Sequence, residues 1–204
     1  ADILAVLYKD VLNIDPNNPE MEDRDKFILS KGHAGMAVYA TLAELGFFPL
    51  SKLKTHYKDG SILSGHVSHK NMPGVEFSTG SLGHGLNVGV GMSLASKIDQ
   101  TNNKVFVLLS DGECDEGSVW EAAMFSSHHK LDNLVALIDY NRLQSLDTVS
   151  NTLELEPFKN KWESFGWAAM EIDGHNIEEM RKIFQKLPNI KNKPTVFICN
   201  TVKG

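Results

Sequence analysis

Four apolar runs recur along the second half of the chain at helix-length separations, and they leave few folds open. They are "KVFVLLS" from Lys104, "NLVALIDY" from Asn133, "WAAMEID" from Trp167 and "PTVFICNTV" from Pro194. None alternates polar with apolar residues as a half-exposed strand must, so both faces of each are expected to be covered. Between them lie "SVWEAAMFSSHHK", "EPFKNKWESFG" and "NIEEMRKIFQKL", all of helical pattern, the last with Asn176 and Glu179 spaced as a capping box. Buried strands separated by helices predict a doubly wound α/β domain: a parallel sheet with helices on both faces.

The first half fits the same domain, expected as one unit over 1–204. "ADILAVLYKDVL" is an amphipathic helix, "KFIL" a short buried strand, "MAVYATLAELG" a helix closed by Gly46, and "LSKLKTHY" a second short helix. "DGSILSGHVSHKNMPGVEFSTGSLGHG" reads as a long loop, a length that inside a compact domain points to function. "LNVGVGMSLASKID" is helical in spite of its glycines, which implies close packing against a neighbour. The chain starts on Ala1 with residues already helical, so the expectation is a domain trimmed at both ends.

Composition narrows the partners. A formal net charge of −6 argues against nucleic acid or an anionic membrane. No apolar stretch is long enough for a membrane span. The two cysteines, Cys114 and Cys199, form no CxxC pair, which favours a reducing cytoplasm over a disulfide framework.

The first of the four strands stops at an acidic turn, "SDGECDEGS". In a sheet of this kind ligands bind beyond the carboxyl ends of the strands. Asp111 follows one strand directly and Asn141 follows the next, 30 residues on. Adjacent tips would present a carboxylate and an amide oxygen to one point, a pairing suited to magnesium or calcium. Asp and Gly also serve strand-to-helix turns for conformational reasons alone; the pairing with Asn141 favours the metal. Glu113, Asp115 and Glu116 cannot all be ligands, and two of them are expected to be solvated or helix-capping.

The segment "SDGECDEGSVWEAAMFSSHHKLDNLVALIDYNRLQSLD" resembles the diphosphate-binding segment of thiamine diphosphate enzymes, transketolases above all, with their Gly-Asp-Gly and, further on, Asn. "SKGHAG", "FSTGSLGHGLNVGVGMSLA", "FGW" and "IDGHN" are similar to transketolase in the same order. The resemblance implies the thiamine diphosphate-binding fold, with Mg²⁺ (or Ca²⁺ in its place) held by Asp111, the Asn141 side chain and the Leu143 carbonyl. It implies Gly112 against the diphosphate, and Gly80, Ser81 and Leu82 cradling the cofactor. His33 would reach diphosphate or substrate, His66 the donor-sugar hydroxyls, and Lys203 the diphosphate. Glu116 would meet its counterpart across a dimer near the two cofactors.

On the same resemblance, the reaction is transfer of a two-carbon ketol unit from a ketose, as a sugar phosphate, to an aldose. The pyrimidine-binding domain with the family's catalytic glutamate is not in this chain. A C-terminal transketolase subunit or domain is therefore the expected partner, in a homodimer or heterotetramer, and the chain alone is expected to be inactive. Ser110 departs from the first glycine of the family pattern, and Tyr140 precedes Asn141 where some thiamine enzymes carry a second Asn. A deoxyxylulose-phosphate synthase, a ketoacid dehydrogenase component and a non-catalytic cofactor-binding module are the rival readings. His69, His128 and His129 carry no assignment. His84 stands between site edge and structure, His175 points to loop and capping chemistry, and Trp120, Trp162 and Trp167 to core or interface.

Overall fold

The structure, a computed structural model, describes residues 1–203. Five strands, β1 (Lys26–Leu29), β2 (Val105–Ser110), β3 (Leu134–Tyr140), β4 (Ala168–Asp173) and β5 (Thr195–Asn200), form one sheet in the order β1-β2-β3-β5-β4. Every pairing is parallel, so all the carboxyl ends emerge along one edge. The doubly wound expectation holds because the runs of β1, β2, β3 and β5 are apolar and buried at consecutive positions; β4, at the sheet edge, instead leaves Glu171 and Asp173 exposed, so its two faces are not both covered. Phe106, Leu108, Val135, Leu137 and Phe197 face one cluster; Val107, Leu109, Ala136, Ile138 and Ile198 face the other. At roughly 1.5–3 kcal/mol for each buried side chain of this size, two covered faces outweigh any single-layer alternative.

Helices α1 (Asp2–Val6), α2 (Gly35–Glu44) and α7 (Ile177–Phe184) cover the first face. Helices α3 (Gly85–Ile98), α4 (Gly117–His128) and α6 (Phe158–Ser164) cover the second. The chain leaves β3 over the second face, skips one position to β4, and returns through α7 on the first face to insert β5. The glycines of α3 divide: a Cβ on Gly89 would stand 2.5 Å from Val107 Cγ2, whereas Gly91 faces open space. Trp162 and Trp167 are fully buried in the second cluster, with Trp120 packed beside them.

Three local expectations change. Residues Leu50–Thr55 form a 3₁₀ turn with no buried residue, because the segment has too few apolar positions to dock a helix. The opening helix widens into a π turn over Leu7–Val11. The capping box is half made: Asn176 Oδ1 accepts the Glu179 N–H at 3.1 Å, but the Asn176 N–H goes to the Asp173 carbonyl at 3.2 Å. A short helix, α5 (Val149–Thr152), lies between β3 and α6. Among the described residues no helix is long and apolar enough to cross a membrane.

Candidate functional site

The tips of β2 and β3 meet through Asp111. Its side chain is buried; Oδ1 accepts the Gly112 N–H at 2.8 Å and Oδ2 accepts the Arg142 N–H at 2.8 Å. Asn141, next to Arg142, turns its Oδ1 back onto the Leu143 N–H at 3.0 Å. Burial raises the Asp111 carboxyl above its ordinary pKa, and the two N–H donors oppose that rise. Each carboxylate oxygen still has a lone pair free. The Leu143 carbonyl accepts no hydrogen bond from the described residues.

These residues line one cleft of about 470 Å³ at the carboxyl edge of the sheet. One carboxylate, one amide oxygen and one backbone carbonyl form a hard-oxygen set that fits a small divalent cation completed by phosphate and water. No group of three or more His, Cys, Asp and Glu side chains suited to a metal occurs among the described residues, and this set needs only one of them. At Gly112 a Cβ would stand 3.1 Å from the Gln144 side chain, which also lines the cleft.

Of the other residues singled out in the sequence, His33, Leu82 and Lys203 also line the cleft. His33 has its pKa pulled below the ordinary 6.5, by burial first and then by the charges of Lys31, His66 and Lys203. His66, Gly80 and Ser81 lie outside the cleft lining. His66 lies beside Gly80, its ring carbon 3.6 Å from where a Cβ would be. Their long loop is moored to the β1 exit: Val67 N–H bonds the Gly32 carbonyl at 3.0 Å, and Thr79 Oγ1 donates to the Leu29 carbonyl at 2.5 Å. Glu116 is exposed, packing its Cβ and Cγ onto Gly83 rather than reaching the cleft.

The acidic turn holds a surprise in Glu113, which is fully buried rather than solvated. Its Oε1 accepts the Ser30 hydroxyl and the Gly83 N–H, the latter at 2.8 Å, and its Oε2 accepts the Ser110 N–H at 3.4 Å. Burial raises this carboxyl too. A second buried group escaped the sequence reading: Lys31 Nζ pairs with Asp139, and Thr201 Oγ1 donates to the same carboxylate. Burial would raise Asp139, but the Lys31 ammonium and both hydrogen bonds outweigh it and hold the carboxyl below the usual range. The available signal was an acid inside an otherwise apolar strand, which needs a partner. His175 lines the cleft and bridges two segments, bonding Asp2 through Nδ1 at 2.7 Å and accepting the Val202 N–H at 3.0 Å. The helix cap is made by Asn176, as its spacing from Glu179 predicts, and His175 takes no part in it.

Comparison with known proteins agrees with the fold. Residues 1–204 match the family described as "Transketolase, thiamine diphosphate binding domain". The chain is 41% identical over 203 residues to a 6-deoxy-6-sulfo-D-fructose transketolase subunit of Clostridium sp. (strain MSTE9), covering 100% of this chain and 74% of that one. It is 43% identical over 203 residues to an apulose-4-phosphate transketolase subunit of Phocaeicola vulgatus, covering 100% and 72%. Among solved structures, transketolase from Campylobacter jejuni superposes with a TM-score of 0.89 at 31% identity, covering 98% of this chain and 32% of that one. Transketolase from Leishmania mexicana does so with 0.90 at 28%, with the same coverage. The chain thus spans about a third of the length of those solved enzymes. Sheet order, strand-tip geometry and a match across all of its residues lead to one conclusion: this chain belongs to the thiamine diphosphate-binding domain family of the transketolases.

Proposed function

We propose that this chain is the diphosphate-binding subunit or domain of a transketolase, moving a two-carbon ketol unit from a ketose phosphate to an aldose. The observation that carries the reading is the bond from Asp111 to the Arg142 N–H, which sets the carboxylate beside Asn141 at one cleft. Thiamine diphosphate, when bound, supplies the carbon nucleophile that a protein side chain cannot.

The protein's part is to bind, orient and handle protons. Asp111, the Asn141 amide oxygen and the Leu143 carbonyl would hold Mg²⁺, or Ca²⁺ in its place, against the diphosphate. Gly112 would let the backbone come close, and Lys203 would add positive charge. Gly80, Ser81 and Leu82 would support the rings. His33, whose neutral form is favoured by burial and by the nearby positive charges, has in that form both a donor and an acceptor nitrogen for hydroxyl or diphosphate groups. His66 would meet the donor sugar beside it. Glu116, exposed next to Gly83, suits contact with a second chain.

The two bacterial relatives are named as subunits. That supports a partner chain, to which we assign the pyrimidine-binding domain with its glutamate, in a homodimer or heterotetramer in the cytoplasm. Calorimetry with thiamine diphosphate and MgCl₂ tests the site: Asp111→Ala should weaken binding at least about 30-fold. Wild-type affinity in that variant would remove the metal assignment. A steady-state transketolase assay tests the division of labour, with no turnover expected until a pyrimidine-domain chain is added. Robust turnover by this chain alone would refute it.

A further inference from the structure

Around Gly83 the acidic turn does something that neither metal binding nor an interface requires. Gly83 adopts φ +79° and closes the turn whose Gly80, Ser81 and Leu82 face the cofactor in the proposed function. Both of its backbone polar groups are held by the "SDGECDEGS" segment. The N–H donates to Glu113 Oε1 at 2.8 Å, and the carbonyl accepts the Ser118 hydroxyl at 2.8 Å. Asn87, one turn into α3, donates to the same carbonyl at 2.6 Å. There is no slack at this position: a Cβ on Gly83 would stand 2.6 Å from Ser118 Oγ and 2.8 Å from Glu116 Cβ.

Glu113 carries the grip beyond Gly83. The same carboxylate takes the Ser30 hydroxyl at the exit of β1 and the N–H of Ser110, the residue before Asp111. One fully buried group therefore joins three segments, and each runs into the cleft within a few residues: to Lys31 and His33, to Leu82, and to Asp111. A carboxylate accepts all three donors; a shorter or apolar side chain would leave buried N–H and O–H groups unpaired.

We infer that Glu113 and Ser118 are positioning residues that clamp Gly83, holding the 80–82 turn and the Asp111 tip in their mutual binding geometry before the cofactor arrives. The inference rests on the proposed function for what the turn faces, while the clamp itself is read from hydrogen bonds within the free chain. Groups that pre-set a binding shell act through affinity, because the bound geometry then needs no further ordering.

The test uses the full chain and two measurements. Amide hydrogen exchange is followed without ligand, and binding of thiamine diphosphate with MgCl₂ by calorimetry. Glu113→Ala should speed exchange at least about tenfold at the Gly83 amide, with the cores of β2 and β3 unchanged. It should weaken binding about 30-fold. Glu113→Gln keeps an acceptor for Ser30 and Gly83 but sets an amide NH2 against the Ser110 N–H, so it should recover part of the binding and stand between Glu113→Ala and wild type. If Glu113→Ala does not fold, Ser118→Ala carries the comparison from the carbonyl side, with faster exchange confined to the Gly83 amide and binding about tenfold weaker. Wild-type exchange at the Gly83 amide in the variants would overturn the clamp, as would loss of protection spread evenly over the strands. Unchanged binding with a loosened turn would also overturn it. A wild-type chain that fails to bind the cofactor would instead refute the proposed function, leaving the exchange arm to judge the clamp alone.

Discussion

Asp111 and Asn141 could be picked out by position, because a residue directly after a buried strand must emerge at the ligand-binding edge of a parallel sheet. His33 differs: its chemistry depends on neighbours 33 and 170 positions away, His66 and Lys203, together with adjacent Lys31. Burial and these like charges disfavour the imidazolium, so the free chain should show His33 titrating below 6.5 by NMR. Bound diphosphate places negative charge nearby and should move that midpoint upward. A midpoint at or above the ordinary value in the free chain would contradict the cluster. Glu113 was the residue the sequence misled on. Its neighbours are charged and its turn looks solvated, yet its burial is created by Ser30 and Gly83 arriving from elsewhere in the chain.

Among the elements, α3 offers a paired comparison on one helix. Gly89 lies against β2 with no room for a methyl group, so Gly89→Ala should lower stability by ~1–3 kcal/mol through overpacking. Gly91 is helical, exposed and unobstructed, so Gly91→Ala should raise stability by ~0.5–1 kcal/mol by restricting the unfolded chain. Thermal or urea unfolding of the two variants should give opposite signs. The glycine content of the segment announced close packing, but only the crossing of α3 over β2 says which glycine makes it. Strands β2, β3 and β5 were legible for the opposite reason, since an unbroken apolar run has one stable destination, the middle of a sheet covered on both sides.

Over the whole molecule, the carboxyl edge is stitched together by buried charge. Lys31 follows β1, Asp139 is the next-to-last residue of β3 and Thr201 follows β5, so one ion pair and one hydroxyl bond span three strands. Removing the carboxylate with Asp139→Asn leaves Lys31 buried and unpaired and should cost ~3 kcal/mol at neutral pH. The sign of the pH dependence follows from the depressed Asp139 pKa. Its contribution is fully present above the ordinary value of 3.8 and is lost as pH falls through the folded value below that. A Tm-against-pH series should therefore fall in strong acid for the wild type and fall less for Asp139→Asn. Equal acid limbs would show that the pair adds nothing to the edge.

Residue order alone determined the layers, the parallel sheet and the two strand tips that carry Asp111 and Asn141, because apolar periodicity and strand ends are properties of neighbours in the chain. Tertiary structure alone decided that Glu113 is a buried knot, that Lys31 has a carboxylate to pair with, and that Glu116 stays outside the cleft. Those outcomes depend on which distant segments meet at the sheet edge, and burial and pairing energies are set by that meeting.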